Sequence, residues 1–198
     1  MKLAALFSGG KDSTYAIHLA KKLGHSIDVL LTIFPHNAES HLLHYPNIRF
    51  TSLQSESMKI PQLTEQLTSI EAKNESDALG RLIMSAKENY SIDGIVHGGI
   101  LSEYQKDSFS TSCKKNNLEI FSPLWNMEPE SYMKELISEN FEYIISTVSS
   151  GGLTDSWLGR TIREDDLIEL KKLQQKFDFN LNFEGGEAET FVTNCPLF

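Results

Sequence analysis

The hydrophobic and polar positions of this chain alternate in blocks that predict strands and helices in turn. The first apolar run, from Leu3 to Phe7, is short and ends at glycines, which is typical of a buried strand. Apolar residues then recur at helical spacing, at Ala16, Leu19, Ala20 and Leu23. Gly24 follows at the position of a left-handed C-terminal cap, so the pattern predicts a strand, a turn and a helix.

Similar blocks continue to about residue 125. Apolar runs predict further strands over residues 27–34, 48–53, 92–97 and 120–121. Residues 61–70 and 76–89 are expected to be helical, and the second segment shows the clearer helical spacing of apolar residues. Strands that alternate with helices predict an α/β fold, a doubly wound parallel sheet of about five strands.

The pattern changes after Trp125. Pro129 suits the first turn of a helix that ends near Asn140, a strand is expected over residues 141–148, and a helix over residues 164–177. We therefore expect residues 1–125 to form one domain and residues 126–198 a smaller C-terminal α/β region that completes a cleft.

Chemistry is expected at the turn between the first strand and the first helix, which reads Ser8-Gly9-Gly10-Lys11-Asp12-Ser13. Backbone N–H groups at a helix N-terminus lack partners and face the positive end of the helix dipole, so an anion binds well there. The glycines permit a close approach, Lys11 adds a positive charge, and Ser8 and Ser13 supply hydroxyls. An ordinary glycine-rich turn is the alternative, but the motif and its flanking elements favour a nucleotide phosphate loop.

The spacing separates two types of phosphate loop. The Walker type needs Gly, four residues and Gly-Lys-Ser/Thr, whereas here Asp12 follows Lys11 and the upstream glycine is missing. The motif instead resembles the PP-loop of the N-type ATP pyrophosphatases. That resemblance implies cleavage of ATP between its α and β phosphates, which gives an adenylated substrate and pyrophosphate.

The composition limits the kinds of binding partner that we expect. The net charge is −9, which leaves little basic surface for a phosphate backbone, so no nucleic-acid partner is expected. Cys113 and Cys195 form no Cys-x-x-Cys pair, and neither a disulfide framework nor a zinc site is indicated. Neither a signal peptide nor a run of about 18 apolar residues is present, so we expect a cytoplasmic protein without membrane contact.

Three further segments are candidates for ligand contact. His36, His41 and His44 follow the second strand, where a metal site, a substrate-facing loop and a solvated loop all stay open. Gly98 allows backbone to approach the adenine or ribose of a nucleotide, or else forms a plain tight turn. The turn Glu184-Gly185-Gly186-Glu187 suits a cationic or amine-bearing group, the alternative being a hairpin with exposed acids.

Taken in order, these motifs resemble those of the diphthine–ammonia ligase family. The resemblance rests on the phosphate loop, residues 40–47, Tyr104-Gln105, Pro123-Leu124-Trp125, Gly152-Leu153 with Trp157-Leu158-Gly159-Arg160, and Glu184-Gly185-Gly186-Glu187. It implies the last step of diphthamide synthesis, on a histidine of translation elongation factor 2. In that step ATP adenylates the diphthine carboxylate, and ammonia, supplied as ammonium, displaces AMP.

The resemblance also implies roles for individual residues. The ATP phosphates would be held by Ser8, Gly9, Gly10, Lys11, Asp12 and Ser13. Within this loop Lys11, Asp12 and Ser13 are the expected catalytic residues, Asp12 is the expected partner of Mg²⁺, and Gly98 would lie against the nucleoside. Diphthine carries a trimethylammonium group, which acids and aromatic rings attract. The expected substrate contacts are His44, Asn47, Tyr104, Gln105, Trp125, Trp157, Glu184, Gly185, Gly186 and Glu187.

Two positions depart from the family pattern, since Ser108 stands where an arginine is expected and Ala188 where an aromatic residue is common. A ligase for another carboxylate therefore stays open, and so does a PP-loop enzyme acting on tRNA, although neither cysteine suits thiolation. A nucleotide-binding sensor without chemistry is the alternative from another class. The oligomeric state is not fixed by the sequence, which is compatible with a homodimer.

Overall fold

The main sheet of the protein has five parallel strands. The computed structural model describes residues 1–36, 47–67, 72–100 and 111–198. The strands of the sheet are β1 (Lys2–Leu6), β2 (Ser26–Phe34), β3 (Gln62–Gln66), β4 (Gly94–Val96) and β5 (Glu119–Phe121). They lie in the order β3-β2-β1-β4-β5, and every neighbouring pair is parallel. The predicted α/β fold with a doubly wound sheet of about five strands is confirmed.

Helices surround this sheet, and a second, smaller sheet follows it. The helices are α1 (Lys11–Lys22), α2 (Thr51–Met58), α3 (Ala72–Tyr90), α4 (Pro129–Ser138) and α5 (Glu164–Phe177). Strands β6 (Glu142–Val148) and β7 (Ala188–Asn194) form an antiparallel pair. Helix α1 ends as predicted, because Gly24 adopts a left-handed φ of +84° and the N–H of His25 donates to the carbonyl of Ala20 over 3.0 Å.

Alternate residues of β1 divide the core into two layers. Leu3 and Ala5 belong to one hydrophobic cluster and Ala4 to the other, as expected for a strand with period two. Helix α3 covers the Ala4 side. The opposite side packs against α1 and against the C-terminal region, whose buried residues join the same cluster. The domain boundary after Trp125 stays a prediction, and the two regions share one continuous core.

Two of the predicted elements are wrong. Residues 48–53 form no strand but a 3₁₀ turn (Ile48–Phe50) that leads into α2, and the Thr51 hydroxyl donates to the Ile48 carbonyl over 2.7 Å. Residues 61–70 contain β3 where a helix was expected. Since β3 is an edge strand with few buried residues, its polar sequence carries no alternating pattern, and pairing with β2 outweighs the local helix propensity.

Among the described residues, no helix is both long and apolar enough to cross a lipid bilayer.

Candidate active site

The site lies where the order of strands in the main sheet reverses. The chain runs outward from β1 through β2 to β3 and then returns to β4, which is the other neighbour of β1. Ligands of open α/β sheets bind at such a reversal, beyond the carboxyl ends of the strands. Residues 8–10 follow β1 and residues 97–99 follow β4, so the structure brings together two of the glycine segments selected from the sequence.

Gly98 lies directly against the start of α1. A Cβ at this position would lie 2.5 Å from the carbonyl carbon of Asp12 and 2.6 Å from the nitrogen of Ser13. Because both neighbours are backbone atoms, no residue larger than glycine fits without moving β4 away from the loop. The side chain of His97, next to Gly98, is buried and lies 2.6 Å from the Ser122 hydroxyl, which anchors the end of β4 to the residue after β5.

The phosphate loop presents backbone N–H groups at its turn. Gly9 has a φ of +79°, a conformation that glycine adopts without strain. Thr14 is the first residue of α1 whose N–H reaches a helical acceptor, the carbonyl of Gly10 at 3.1 Å. Within the described part of the chain, the N–H groups of Asp12 and Ser13 have no acceptor. The hydroxyls of Ser8 and Ser13 lie 3.1 Å apart beside them, so the loop offers the donors that a phosphate needs.

A buried ion pair lies at the first turn of α1. Lys11 is 1% exposed, and its Nζ donates to both carboxylate oxygens of Asp12, at 2.8 and 2.9 Å. The rings of Tyr132 and Phe183 lie 5.7 and 5.8 Å from the same Nζ, in cation–π range. Asp12 therefore neutralises the charge of the Lys11 ammonium next to two aromatic rings.

Tyr132, on α4, completes this arrangement. Its hydroxyl donates to Oδ1 of Asp12 over 2.6 Å, and the side chain is fully buried. Burial, together with the neighbouring charge of Asp12, raises the pKa of Tyr132 well above its usual value. The hydroxyl consequently stays protonated and acts as a hydrogen-bond donor.

Strand β7 forms an outer wall of the loop. The N–H of Val192 donates to the Gly9 carbonyl over 3.0 Å, and the N–H of Lys11 donates to Oγ1 of Thr190 over 3.2 Å. From α2, the buried Gln54 amide donates to the carbonyls of both Gly9 and Val192, at 3.1 and 2.8 Å. A small open pocket remains between loop and wall, and its lining is Ser8, Gly10, Lys11, Asp12, Phe183, Ala188, Glu189 and Thr190.

The two acids of the C-terminal Gly-Gly turn have different surroundings. Glu187 holds the turn itself, since its carboxylate accepts hydrogen bonds from Asn180 and from the N–H of Gly185, each at 2.8 Å. Glu184 points instead toward the end of β4, where its carboxylate accepts from the N–H of Ile100 over 3.1 Å. Gly186 adopts a left-handed φ of +81°, so the turn depends on glycine at this position.

Other predicted contact residues lie apart from this group or outside the described residues. Trp157 is 2% exposed in the core, with the Arg160 guanidinium 4.5 Å from its ring centroid, whereas Trp125 is half-buried. Asn47 has a left-handed φ of +63° at the start of the 3₁₀ turn, and Ala188 lines the pocket. The residues that fall outside the described part of the chain are His41, His44, Tyr104, Gln105 and Ser108.

Asp12 is the carboxylate of the loop that could bind Mg²⁺. Its side chain is 28% exposed, and no three His, Cys, Asp or Glu side chains of the described residues come together as a metal site. In nucleotide enzymes Mg²⁺ is held by one or two carboxylates and by the phosphates of the substrate. The donor set therefore fits a Mg²⁺ ion that arrives with a nucleotide.

Neither cysteine is placed as a nucleophile. Cys113 and Cys195 are both buried, and burial raises the pKa of each thiol to about 11. A reactive cysteine needs a thiolate near neutral pH, which these surroundings oppose.

Sequence reasoning missed Tyr132, Thr190 and Gln54. All three reach the loop from distant elements, and nothing in the local sequence marks Tyr132 or Gln54. Tyr132 sits among the apolar residues of α4 and resembles an ordinary core residue. Thr190 alone had a signal, since it lies three residues after the Gly-Gly turn motif.

Family models match nearly the whole chain. Residues 1–120 match the diphthamide synthase N-terminal domain, and residues 128–198 match the diphthamide synthase C-terminal domain. The chain belongs to the diphthamide synthase family. The prediction made from the motifs is thereby confirmed, and with it the assignment to a ligase family of the ATP-dependent PP-loop class.

Several relatives of this chain carry the name diphthine–ammonia ligase. The rat and human proteins are each 34% identical to this chain, and the match covers all of this chain and 80% of each relative. The protein of Schizosaccharomyces pombe is 30% identical, and the match covers 35% of its length.

Among solved structures, a protein described as a predicted subunit of tRNA methyltransferase from Methanocaldococcus jannaschii superposes with a TM-score of 0.45 and 17% identity. That match covers 98% of both chains.

Proposed function

We propose that this protein amidates the diphthine carboxylate of translation elongation factor 2 with ammonia, through an acyl-adenylate. The observation that carries the proposal is the position of Lys11, the first residue of α1, in the turn that contacts Gly98 through Asp12 and Ser13 at the strand reversal. Membership of the diphthamide synthase family supports the choice of substrate.

In the first step a carboxylate oxygen of diphthine attacks the α-phosphorus of ATP. The bond to the bridging oxygen breaks, and pyrophosphate leaves with the electron pair. The loop N–H groups and the Lys11 ammonium would stabilise the charge that develops on the departing phosphates. Mg²⁺, held by Asp12 and the phosphates, would supply further positive charge when bound.

In the second step ammonia attacks the acyl carbon of the adenylate. The carbon–oxygen bond breaks, AMP leaves with that oxygen, and the nitrogen loses a proton to give the amide. The free energy of the first cleavage thus drives formation of the carbon–nitrogen bond. We assign the trimethylammonium group of diphthine to the side of the Gly-Gly turn that carries Glu184, because the carboxylate of Glu184 reaches the segment after β4, next to the loop.

The test follows elongation factor 2 that bears diphthine, incubated with the protein, ATP, Mg²⁺ and an ammonium salt. Intact mass reports exchange of the hydroxyl for an amino group, and chromatography reports AMP. Omission of ammonium, with labelled pyrophosphate present, isolates the first step: label should enter ATP only when the factor is present.

Lys11→Ala should lower the rate by about 10²- to 10³-fold, whereas Lys21→Ala, an exposed lysine of the same helix, should leave the rate unchanged. AMP formation without a change in the factor would redirect the chemistry to another carboxylate. No AMP under any condition would contradict the ligase and favour a nucleotide sensor.

A further inference from the structure

We propose that Tyr132 is a positioning residue that lets Asp12 transfer the Lys11 ammonium to the phosphates of ATP. Tyr132 touches no reacting atom in this arrangement, and acts through Asp12. The inference rests on the proposed function of the loop, and adds to it a hydroxyl that reaches the loop from the C-terminal region.

The buried position of Lys11 carries an electrostatic cost. An ammonium that is 1% exposed needs a counter-ion, and Asp12 provides one with both carboxylate oxygens. Lys11 is therefore held by Asp12 and not by an incoming anion. Two of the three N–H groups of the ammonium are directed at Asp12, so full transfer of the ammonium to a phosphate requires that Asp12 release it.

Asp12 keeps a second hydrogen-bond donor when Lys11 is released. Its Oδ1 accepts from both Lys11 and Tyr132, at 2.8 and 2.6 Å. When Lys11 moves to a phosphate, the bond from Tyr132 remains, so the carboxylate is not left without a donor. The hydroxyl thus lowers the cost of separating the ion pair.

The position of the Tyr132 hydroxyl is set by the packing of α4. Tyr132 is held in α4 with its side chain fully buried, and its ring flanks the Lys11 Nζ at 5.7 Å. This packing fixes the position of the hydroxyl, independently of the partly exposed side chain of Asp12. We therefore expect Asp12 to keep this orientation at the start of α1 when Lys11 moves to a phosphate.

The experiment measures binding of α,β-methylene ATP by calorimetry, in EDTA so that Mg²⁺ takes no part. This analogue cannot be cleaved between its α and β phosphates. Tyr132→Phe removes only the hydroxyl and should weaken binding about tenfold. Asp12→Asn no longer holds Lys11 as a counter-ion and should bind at least as tightly as the wild type.

The double-mutant cycle decides between positioning and packing. In the Asp12→Asn background, Tyr132→Phe should change the affinity by less than about twofold, because no ion pair remains to be separated. An equal loss in both backgrounds, no loss in Tyr132→Phe alone, or weaker binding by Asp12→Asn would each overturn the inference.

A matched control removes a buried hydroxyl that does not bond to Asp12. The hydroxyl of Tyr143 contacts the Met133 sulfur at 3.7 Å, and Tyr143→Phe should leave the affinity unchanged. If Tyr143→Phe weakened binding as much as Tyr132→Phe, the specific role would be excluded. Absence of nucleotide binding by the wild type would contradict the proposed nucleotide site itself, and is distinguishable from a wild type that binds while Tyr132→Phe has no effect.

Discussion

The N–H of Val192 donates a hydrogen bond to the carbonyl of Gly9 over 3.0 Å. This bond joins β7, an element of the C-terminal region, to the turn of the phosphate loop. The buried Gln54 amide strengthens the same junction from a third element, α2. The conformation of the loop consequently depends on two elements, α2 and β7, that are far from it in sequence.

Gln54→Glu should detach β7 from the loop. The substitution replaces an amide that donates to two carbonyls with a carboxylate that cannot donate to them when ionised, in a site that is 4% exposed. We expect the free energy of unfolding to fall by about 1–3 kcal/mol, and nucleotide affinity to fall with it. Denaturant unfolding measures the first effect. Gln175→Glu, at an exposed position of α5, is the control, and an equal loss there would contradict the role of Gln54.

Gly98→Ala should separate β4 from the start of α1. Its Cβ would meet the backbone of Asp12 and Ser13 at 2.5 to 2.6 Å, so the chain must shift, at a cost of about 1–3 kcal/mol. Thermal unfolding and nucleotide titration report the two consequences. Gly80→Ala is the matched control, because nothing lies within 4 Å of that position in α3 and alanine favours a helix. A Gly98→Ala protein with unchanged nucleotide affinity would show that this contact does not shape the site.

Glu184→Gln tests the proposed site for the trimethylammonium group. Glutamine keeps an oxygen that can accept from the N–H of Ile100 but removes the negative charge. We expect KM for the modified factor to rise by roughly threefold to tenfold while the affinity for ATP stays constant. Steady-state kinetics at saturating ATP measure this split. Glu142→Gln removes an exposed charge from β6 and should have no such effect; an unchanged KM in Glu184→Gln would move the cation elsewhere.

The hydrogen bonds of Glu130 predict that the stability of the fold falls at acidic pH. Its carboxylate accepts from Lys134 and Lys171, at 2.8 and 2.5 Å, and these bonds lower its pKa from 4.5 to about 2. A carboxyl whose pKa is lower in the folded state stabilises the fold above its unfolded pKa, and this contribution is lost as the pH falls from 4.5 toward 2. Because Lys171 lies on α5 and Glu130 on α4, the loss weakens the contact between these helices.

Denaturant unfolding of Glu130→Gln over the same pH range measures this effect. The variant should lose part of the dependence seen in the wild type, and added salt should reduce the difference because the pairs are exposed. Glu56→Gln removes one exposed charge from α2 as a control. Parallel pH profiles for wild type and Glu130→Gln would rule out a contribution from these ion pairs.

The sequence predicts the parts of the site that are local. The strand, the glycine turn and α1 follow each other without interruption, so hydrophobic pattern and motif identify them together. Strand β3 was assigned wrongly because an edge strand buries too little to impose a pattern. The sequence does not reveal three residues that contact the loop only through tertiary packing, which are Tyr132, Gln54 and Thr190. A single tyrosine on the apolar face of a helix is typical of a core residue.

The backbone N–H of Lys11 donates a hydrogen bond to the Thr190 hydroxyl, and the two residues are separated by 179 positions in the chain. Translation proceeds from the N-terminus, so a ribosome makes the phosphate loop long before it makes the strand that lines it. Until β7 has been made, the Ser8 to Ser13 turn lacks the strand that packs against it. The loop therefore reaches the geometry described above only after β7 has emerged and docked.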